Sequence, residues 1–406
     1  MDETTTPAGA GHGREVVTRV PMRPRSRTEP HRASTPLELL FDLCFVVAVA
    51  QAGSKLVHAL TEGEQGHGIT GYLLIFFAIW WAWMNFTWFA SAYDVDDILY
   101  RVMTLVQMSG VLVLAAGVPR AFDDADYAVA VVGYLIMRLA QTCQWLRASR
   151  GESGAARRVA LRYVAGLLLV QLAWVGLLLM PGSFWTGGFL VLVAVELAVP
   201  TVAERDHGTS WHPHHIAERF GLFTIIVLGE SISAATVAVQ TALDESTALD
   251  LLLPIAAGGL LIVFAAFWSY FAVPIHRHLT SNRQAFVWGY GHYAVLGSAA
   301  AIGAGIEVAV EQVTHHADLS AQAAAACATI PTAVFLLSVW AVHARHFKRG
   351  IAQNLVLPAG AAAVLACTPA GHLAVPLAGL ATACTVAAGI VLAARPPGDR
   401  VRPAAG

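Results

Sequence analysis

The feature that most constrains this chain is a series of long apolar runs, each of a length that crosses a membrane. About 20 helical residues span the roughly 30 Å of hydrocarbon in a bilayer. Only 13% of the residues are charged, against roughly 25% in an ordinary soluble domain. We therefore predict an all-α, polytopic membrane helix bundle with about 12 transmembrane helices. The approximate limits of the runs are 37–59, 69–92, 102–119, 127–147, 160–180, 184–203, 216–240, 249–273, 285–309, 321–344, 352–368 and 372–394.

Arginine and lysine gather on one side of the predicted spans. Cytoplasmic loops of membrane proteins carry an excess of these residues. The N-terminal tail holds six arginines, and basic clusters follow the fourth, tenth and last runs. Of 25 Lys and Arg residues, 22 lie on this side, whereas the loops TEGEQGHG, FDDAD and LDEST on the other side are acidic. The pattern predicts a multi-pass protein of the cell membrane with both termini in the cytoplasm.

The seventh run repeats a pattern of the first. When Glu218 is aligned with Glu38, each segment leads from a carboxylate at the predicted cytoplasmic edge to a polar residue, Gln51 or Glu230. An aromatic cluster follows in each half, AIWWAWMNF and AFWSYF. Two parallel six-helix repeats, an arrangement known in transporters, are one interpretation. Chance similarity between apolar segments is the other.

These features divide the chain into five segments. The predicted segments are a disordered, Arg-rich cytoplasmic tail (1–35), a first six-helix half (36–203), a His-containing cytoplasmic linker (204–215), a second six-helix half (216–394) and a cytoplasmic tail (395–406).

Three motifs in order are similar to those of the bacterial low temperature requirement protein A (LtrA) family. They are PLELLFDLCFVVAVAQ, WWAWMNFTWFASAYDVDDILYR and HHIAERFGLFTIIVLGESI. The resemblance covers the chain from about residue 36 onward and implies a protein of the bacterial inner membrane connected with growth at low temperature. It implies no established reaction and no catalytic residue. The motif positions it picks out are Glu38, Phe41, Asp42, His215, Glu218, Arg219, Gly221 and Glu230.

Two carboxylates open the first run. Glu38 and Asp42 are four residues apart and share one helix face. Asp42 lies about 9 Å along the span, where an unpaired charge is costly, so it should face the bundle interior and find a partner. A proton or cation site and an interfacial salt bridge both fit, with the salt bridge favoured for Glu38.

The seventh run carries a second pair of charges. Arg219 and Glu230 are eleven residues apart, which is about 16 Å along a helix axis. Each is therefore expected to find its partner on another helix. Glu230 lies near the predicted bilayer centre, and we favour proton relay or ion binding there over a structural hydrogen bond. Glu218, at the edge of the same run, is a further pathway candidate.

Other polar residues fall inside predicted spans. Arg138 keeps its proton, and its candidate partners are Asp42, Glu196 and Glu230. His292 is predicted to be a satisfied structural residue, with a proton carrier as the alternative because its ordinary pKa is close to neutral.

The loop DHGTSWHPHHIAER holds four histidines, but their spacing lacks an i, i+4 pair or cysteine partners, so no metal site is predicted. In SAYDVDDILYR the acids are predicted to cap the third span rather than to form a cation vestibule.

We favour a secondary transporter, proton- or cation-coupled, that uses intramembrane carboxylates. The alternatives are an ion channel, an intramembrane enzyme or a structural membrane protein. The chain has no HExxH, GxSxG, CxxCH or phosphate-loop motif, which disfavours the enzyme. The predicted partners are the lipid bilayer and a small solute or ion; no cofactor and no nucleic acid is predicted, and the oligomeric state stays open.

Overall fold

The computed structural model describes residues 20–26, 29, 32–244, 249–314, 316–348 and 350–394. These residues form twelve α-helices and no strand. The helices are α1 (Pro36–Thr61), α2 (Gln65–Tyr93), α3 (Ile98–Asp123), α4 (Ala128–Gly151), α5 (Gly154–Leu178), α6 (Trp185–Ala203), α7 (Pro213–Asp244), α8 (Leu249–Phe271), α9 (Asn282–Val313), α10 (Ala321–Val342), α11 (Ile351–Ala366) and α12 (Ala374–Ala394).

Among the described helices, eleven are long and apolar enough to cross a membrane, some together with an adjoining 3-10 turn. The exception is α11, which has 16 residues and so extends about 24 Å. The all-α polytopic bundle is confirmed, with one short helix at the place of the predicted run 352–368. The outer helices α5, α6 and α12 expose leucine and valine side chains, as contact with lipid requires.

Local sequence signals fix where key helices begin. The α1 helix starts with a capping box, in which Thr35 accepts from the Glu38 N–H and the Glu38 side chain accepts from the Thr35 N–H. The α3 helix is capped by Asp97, which accepts from the backbone N–H of Tyr100. The structure therefore shows the predicted capping role for one of the acids before the third span.

The two halves share an order of helix contacts. In the first half α1 packs on α2 and α3, and α3 packs on α4; in the second half α7 packs on α8 and α9, and α9 packs on α10. The two closely packed pairs, α3–α4 and α9–α10, each have a glycine at the helix contact. A Cβ on Gly133 would lie 2.3 Å from Leu114 N, and one on Gly305 would lie 2.1 Å from Cys327 O. The same order of contacts and close approach thus recurs in α1–α4 and in α7–α10, and the two parallel six-helix repeats stay a prediction.

The bundle has two ends, which we name by α1 and α7. Face N holds the first residues of both helices, and face C holds their last residues. The described part of the N-terminal segment lies across face N. The backbone N–H of Val20 donates to Asp97, that of Arg25 donates to Ala92 O, and Met22 is 1% exposed.

Within the tail predicted to be disordered, the described residues 20–26 and 32–35 make backbone and guanidinium contacts with the bundle. The disorder of the tail as a whole stays a prediction. Residues 1–19 and the predicted C-terminal tail, 395–406, lie outside the described residues.

Candidate functional site

A buried ion pair network joins the first turns of α1 and α7. Arg219 Nη1 lies 3.0 Å from Glu38 Oε1, and Arg219 Nη2 forms an ion pair with Asp42 Oδ1. All three side chains are at most 1% exposed. The four-residue spacing of the carboxylates places both on the α7 side of α1, so one guanidinium reaches both.

Two further groups complete this network. His215, one turn before Arg219, places Nε2 3.1 Å from Glu38 Oε1. Trp83 of α2 donates its indole N–H to Asp42 Oδ1 at 2.7 Å. We call these five residues the α1–α7 network. It supplies the partners on other helices that the sequence predicted for Asp42 and Arg219.

A second buried ion pair lies within the first half. Arg138 Nη2 is 2.5 Å from Glu196 Oε2, so Glu196 is the partner among the three candidates. The same carboxylate accepts hydrogen bonds from Trp81, Tyr134 and Trp174. With four donors from three helices, Glu196 is fully satisfied, which is typical of a structural pair.

Glu230 lies elsewhere, in a recess between α1, α7 and α9 toward face C. The recess has a volume of about 260 Å³. Its lining residues are Val49, Ala50, Gln51, Gly53, Ser54, Glu230, Ala234, Ala300, Gly303, Ala304 and Glu307. Among the described residues neither Glu230 nor Glu307 forms a hydrogen bond or an ion pair, and both side chains are half-buried. The recess therefore presents two carboxylates that no positively charged side chain of the described residues neutralises.

Glu218 and His292 are not part of the network. Glu218 accepts a hydrogen bond from the backbone N–H of Ser34 at 3.2 Å and so holds the N-terminal segment. His292 is fully buried on α9, where it contacts Tyr270 and His343. Phe220 of α7 packs on its ring and separates it from the network side of that helix.

The loop histidines before α7 do not converge on one point. His212 Nε2 lies 2.9 Å from Glu29 O, and burial lowers its pKa. His215 contacts Glu38 instead. In the part of the chain that the structure describes, no three His, Cys, Asp or Glu side chains come together to hold a metal ion.

Asp94, in the loop between α2 and α3, lies beneath the N-terminal segment. Burial raises the pKa of its carboxyl to about 6, and the negative charge of Glu38 acts in the same direction. Arg25 is 3.9 Å away, and Arg32 donates to the carbonyls of Ala90 and Ser91 at the end of α2. These guanidinium groups oppose the rise in the pKa without cancelling it.

A comparison with known protein families covers the helices that form these sites. A family model described as "Bacterial low temperature requirement A protein (LtrA)" matches residues 33–393. The chain belongs to the LtrA family. The predicted resemblance is thus confirmed, and the three motifs that carry it contribute Glu38, Asp42, Trp83, His215 and Arg219 to the α1–α7 network.

One similar protein of Rhizobium meliloti (strain 1021) carries the description "Uncharacterized protein RA0937". It is 29% identical over 216 residues, which cover 51% of this LtrA chain and 51% of that protein. The match thus spans about half the length of each.

Sequence reasoning missed four residues of these sites. Trp83 stands in an aromatic cluster, and nothing in the sequence separates the tryptophan that donates to Asp42 from those that only pack. Glu307 lies within the ninth run and was not predicted as a site residue. An acidic side chain in an apolar span nevertheless indicates a functional position. Tyr270 and His343 lie at span ends, where sequence position gave no reason to place them beside His292.

Proposed function

We propose that this LtrA protein is a secondary transporter, coupled to protons or another cation, whose pathway lies between α1, α7 and α9. One observation carries the proposal. The same helix interface holds an acidic recess toward face C and a closed charged network toward face N. A pathway open at one end and shut at the other fits a carrier that alternates between two states.

The recess and the network are separated by packed side chains. Asp42 and Gln51 are about 14 Å apart along α1, and Arg219 and Glu230 are about 16 Å apart along α7. Phe45 of α1, between these levels, is at most 1% exposed. This closed segment supports a carrier over a channel, because a conducting channel needs a continuous polar path.

The negative charge of the recess favours a cation as the coupling ion. Glu230 and Glu307 face one recess from α7 and α9, and the described residues supply no cation to either. Carboxylates in a membrane interior mark ion and proton pathways. With both termini cytoplasmic, as the arginine distribution predicts, the recess opens to the outside.

The test is ion flux in proteoliposomes, with internal pH and electrical current read under imposed H⁺, Na⁺ and K⁺ gradients. We expect cation-linked flux for the parent and its loss in Glu230→Gln and in Glu307→Gln. Glu311→Gln is the matched control, because Glu311 lies one turn beyond Glu307 and does not line the recess. The absence of flux under every gradient, or equal flux in all four proteins, would overturn the proposal.

A further inference from the structure

An open groove lies at face N, between the start of α9 and the end of α10. Its volume is about 450 Å³, within the range of about 300–1,000 Å³ that is typical of ligand sites. The lining residues are His278, Ser281, Arg283, Gln284, Val287, Trp288, Ala341, Val342, Arg345 and His346. The groove shares no lining residue with the acidic recess toward face C, so it is a separate feature of the molecule.

Basic side chains line this groove. Arg283 and Arg345 are exposed, and the rings of His278 and His346 stack with their centroids 3.9 Å apart. The described lining contains no Asp or Glu, and within the part of the chain that the structure describes neither arginine forms an ion pair. Burial and then the positive charge of Arg345 lower the pKa of His278. The groove therefore carries positive charge that no carboxylate of its own neutralises.

Other arginines at face N are held by acids. Arg147 pairs with Asp97, and Arg162 pairs with Asp206, so these guanidinium groups serve the structure of the bundle. An excess of arginine at one membrane face is also a topology signal, but topology does not require two arginines to face one cavity. The two groove arginines do so from separate elements, the first turn of α9 and the 3-10 turn after α10.

The remainder of the groove is apolar and continues into exposed apolar surface. Val287, one turn after Arg283 on α9, is 59% exposed. A stripe on α10 leads into the groove at steps of three or four residues, which keep it on one helix face. Its residues are Ile330, Val334, Leu337 and Ala341. The first three of them are at least 40% exposed, as contact with lipid requires.

We propose that this groove binds an anionic phospholipid from the leaflet at face N, with the phosphate between Arg283 and Arg345. A guanidinium group donates two parallel hydrogen bonds to a phosphate. The imidazoles of His278 and His346 each carry a further N–H donor, even when neutral. Basic pockets between transmembrane helices hold the headgroups of anionic lipids in this way.

The apolar stripe selects a lipid over a water-soluble phosphate compound. A soluble ligand would use only the basic part of the groove and would leave the exposed side chains of Val287 and Leu337 uncovered. An acyl chain that runs from the headgroup along α10 covers them. The bound lipid joins the connection between α8 and α9 to the end of α10, and it does so whether or not the protein transports an ion.

The test is native mass spectrometry of the full chain in a neutral detergent, titrated with phosphatidylglycerol. We expect the parent to bind one such lipid more tightly than any further lipid. In the double variant Arg283→Gln, Arg345→Gln this binding should be about 30-fold weaker. The matched control is Arg157→Gln, Arg158→Gln, which removes two exposed arginines from the start of α5 that do not line the groove. It should bind the lipid as the parent does.

Equal affinity for phosphatidylglycerol in the parent and the groove variant would overturn the proposal, and so would equal losses in the two double variants. Equal affinity of the parent for the zwitterionic phosphatidylcholine would show that the positive charge is not used. Glycerophosphoglycerol is the same headgroup without acyl chains. If it bound as tightly as the whole lipid, the occupant would be a water-soluble phosphate, and the lipid proposal would be wrong.

Discussion

Arg219 of α7 and Asp42 of α1 form an ion pair in which both side chains are 0% exposed. This contact joins α1 and α7 at face N. Because Glu38 is also within 3.0 Å of the same guanidinium, removal of Arg219 would leave two carboxylates buried together. We expect Arg219→Gln to lower the free energy of unfolding by about 3–5 kcal/mol, measured by reversible unfolding in mixed micelles.

Arg205→Gln is the matched control for that variant. Arg205 is 64% exposed and lies 3.6 Å from Asp206, and an exposed pair of this kind contributes about 0–1 kcal/mol. The triple variant Glu38→Gln, Asp42→Asn, Arg219→Gln should regain part of the loss, because no buried charge is left unpaired. Equal stability of Arg219→Gln and Arg205→Gln would show that the network is not formed.

The Arg138–Glu196 pair is expected to affect stability and not transport. Glu196→Gln leaves the buried Arg138 without its carboxylate, which should cost about 3–5 kcal/mol. Where the variant remains folded, its flux per folded molecule should equal that of the parent. Glu230→Gln should behave in the opposite way, with little change in unfolding and loss of flux. A loss of flux in folded Glu196→Gln would place that pair on the pathway.

The Asp94 carboxyl should make the free energy of unfolding of the protein depend on pH. The pKa of this carboxyl is raised from 3.8 to about 6, so the folded state favours the protonated form. The stabilisation of the folded state by the protonated Asp94 carboxyl is complete below about pH 4 and is lost as the pH rises through 6. The loss corresponds to about 3 kcal/mol, at about 1.4 kcal/mol per pKa unit.

We therefore expect Asp94→Asn to raise the unfolding temperature at pH 7.5 and to change it little at pH 4, measured by intrinsic tryptophan fluorescence. Asp96→Asn is the control, since Asp96 is 40% exposed and pairs with Arg101 at the surface. An unfolding temperature of Asp94→Asn that is lower than the parent's at pH 7.5 would mean that the pairing with Arg25 outweighs burial.

The fold was predictable because each span carries its own signal. The length of an apolar run, the arginine clusters and the Thr35–Glu38 capping box are local patterns that are independent of the rest of the structure. The boundary of α11 was less clear, since its run is interrupted by Pro358 and ends before the turn at Gly371.

The candidate sites were predictable only in part. An intramembrane charge indicates that a partner exists, and the α1–α7 network shows this for Asp42 and Arg219. The identity of a partner depends on which helices are neighbours, and that is decided by close packing at positions such as Gly133 and Gly305. For this reason Glu196 was only one of three candidates for Arg138, and His343 was not considered beside His292.

In the proposed carrier the pathway between α1, α7 and α9 opens to one face at a time. This alternation is tested most directly by cysteine labelling in a chain whose five native cysteines are replaced by alanine. Ala234→Cys reports on the recess, and Ala48→Cys, 0% exposed on α1, reports on the closed segment. Membrane-impermeant maleimide is added to either side of oriented proteoliposomes.

With the network intact, we predict that only Ala234→Cys reacts, and only from face C. When Arg219→Gln breaks the network, we predict that Ala48→Cys becomes reactive from face N while Ala234→Cys becomes protected. Simultaneous reaction of both positions from both faces would contradict the carrier and indicate a channel. Unchanged labelling in folded Arg219→Gln would show that the network does not close the pathway.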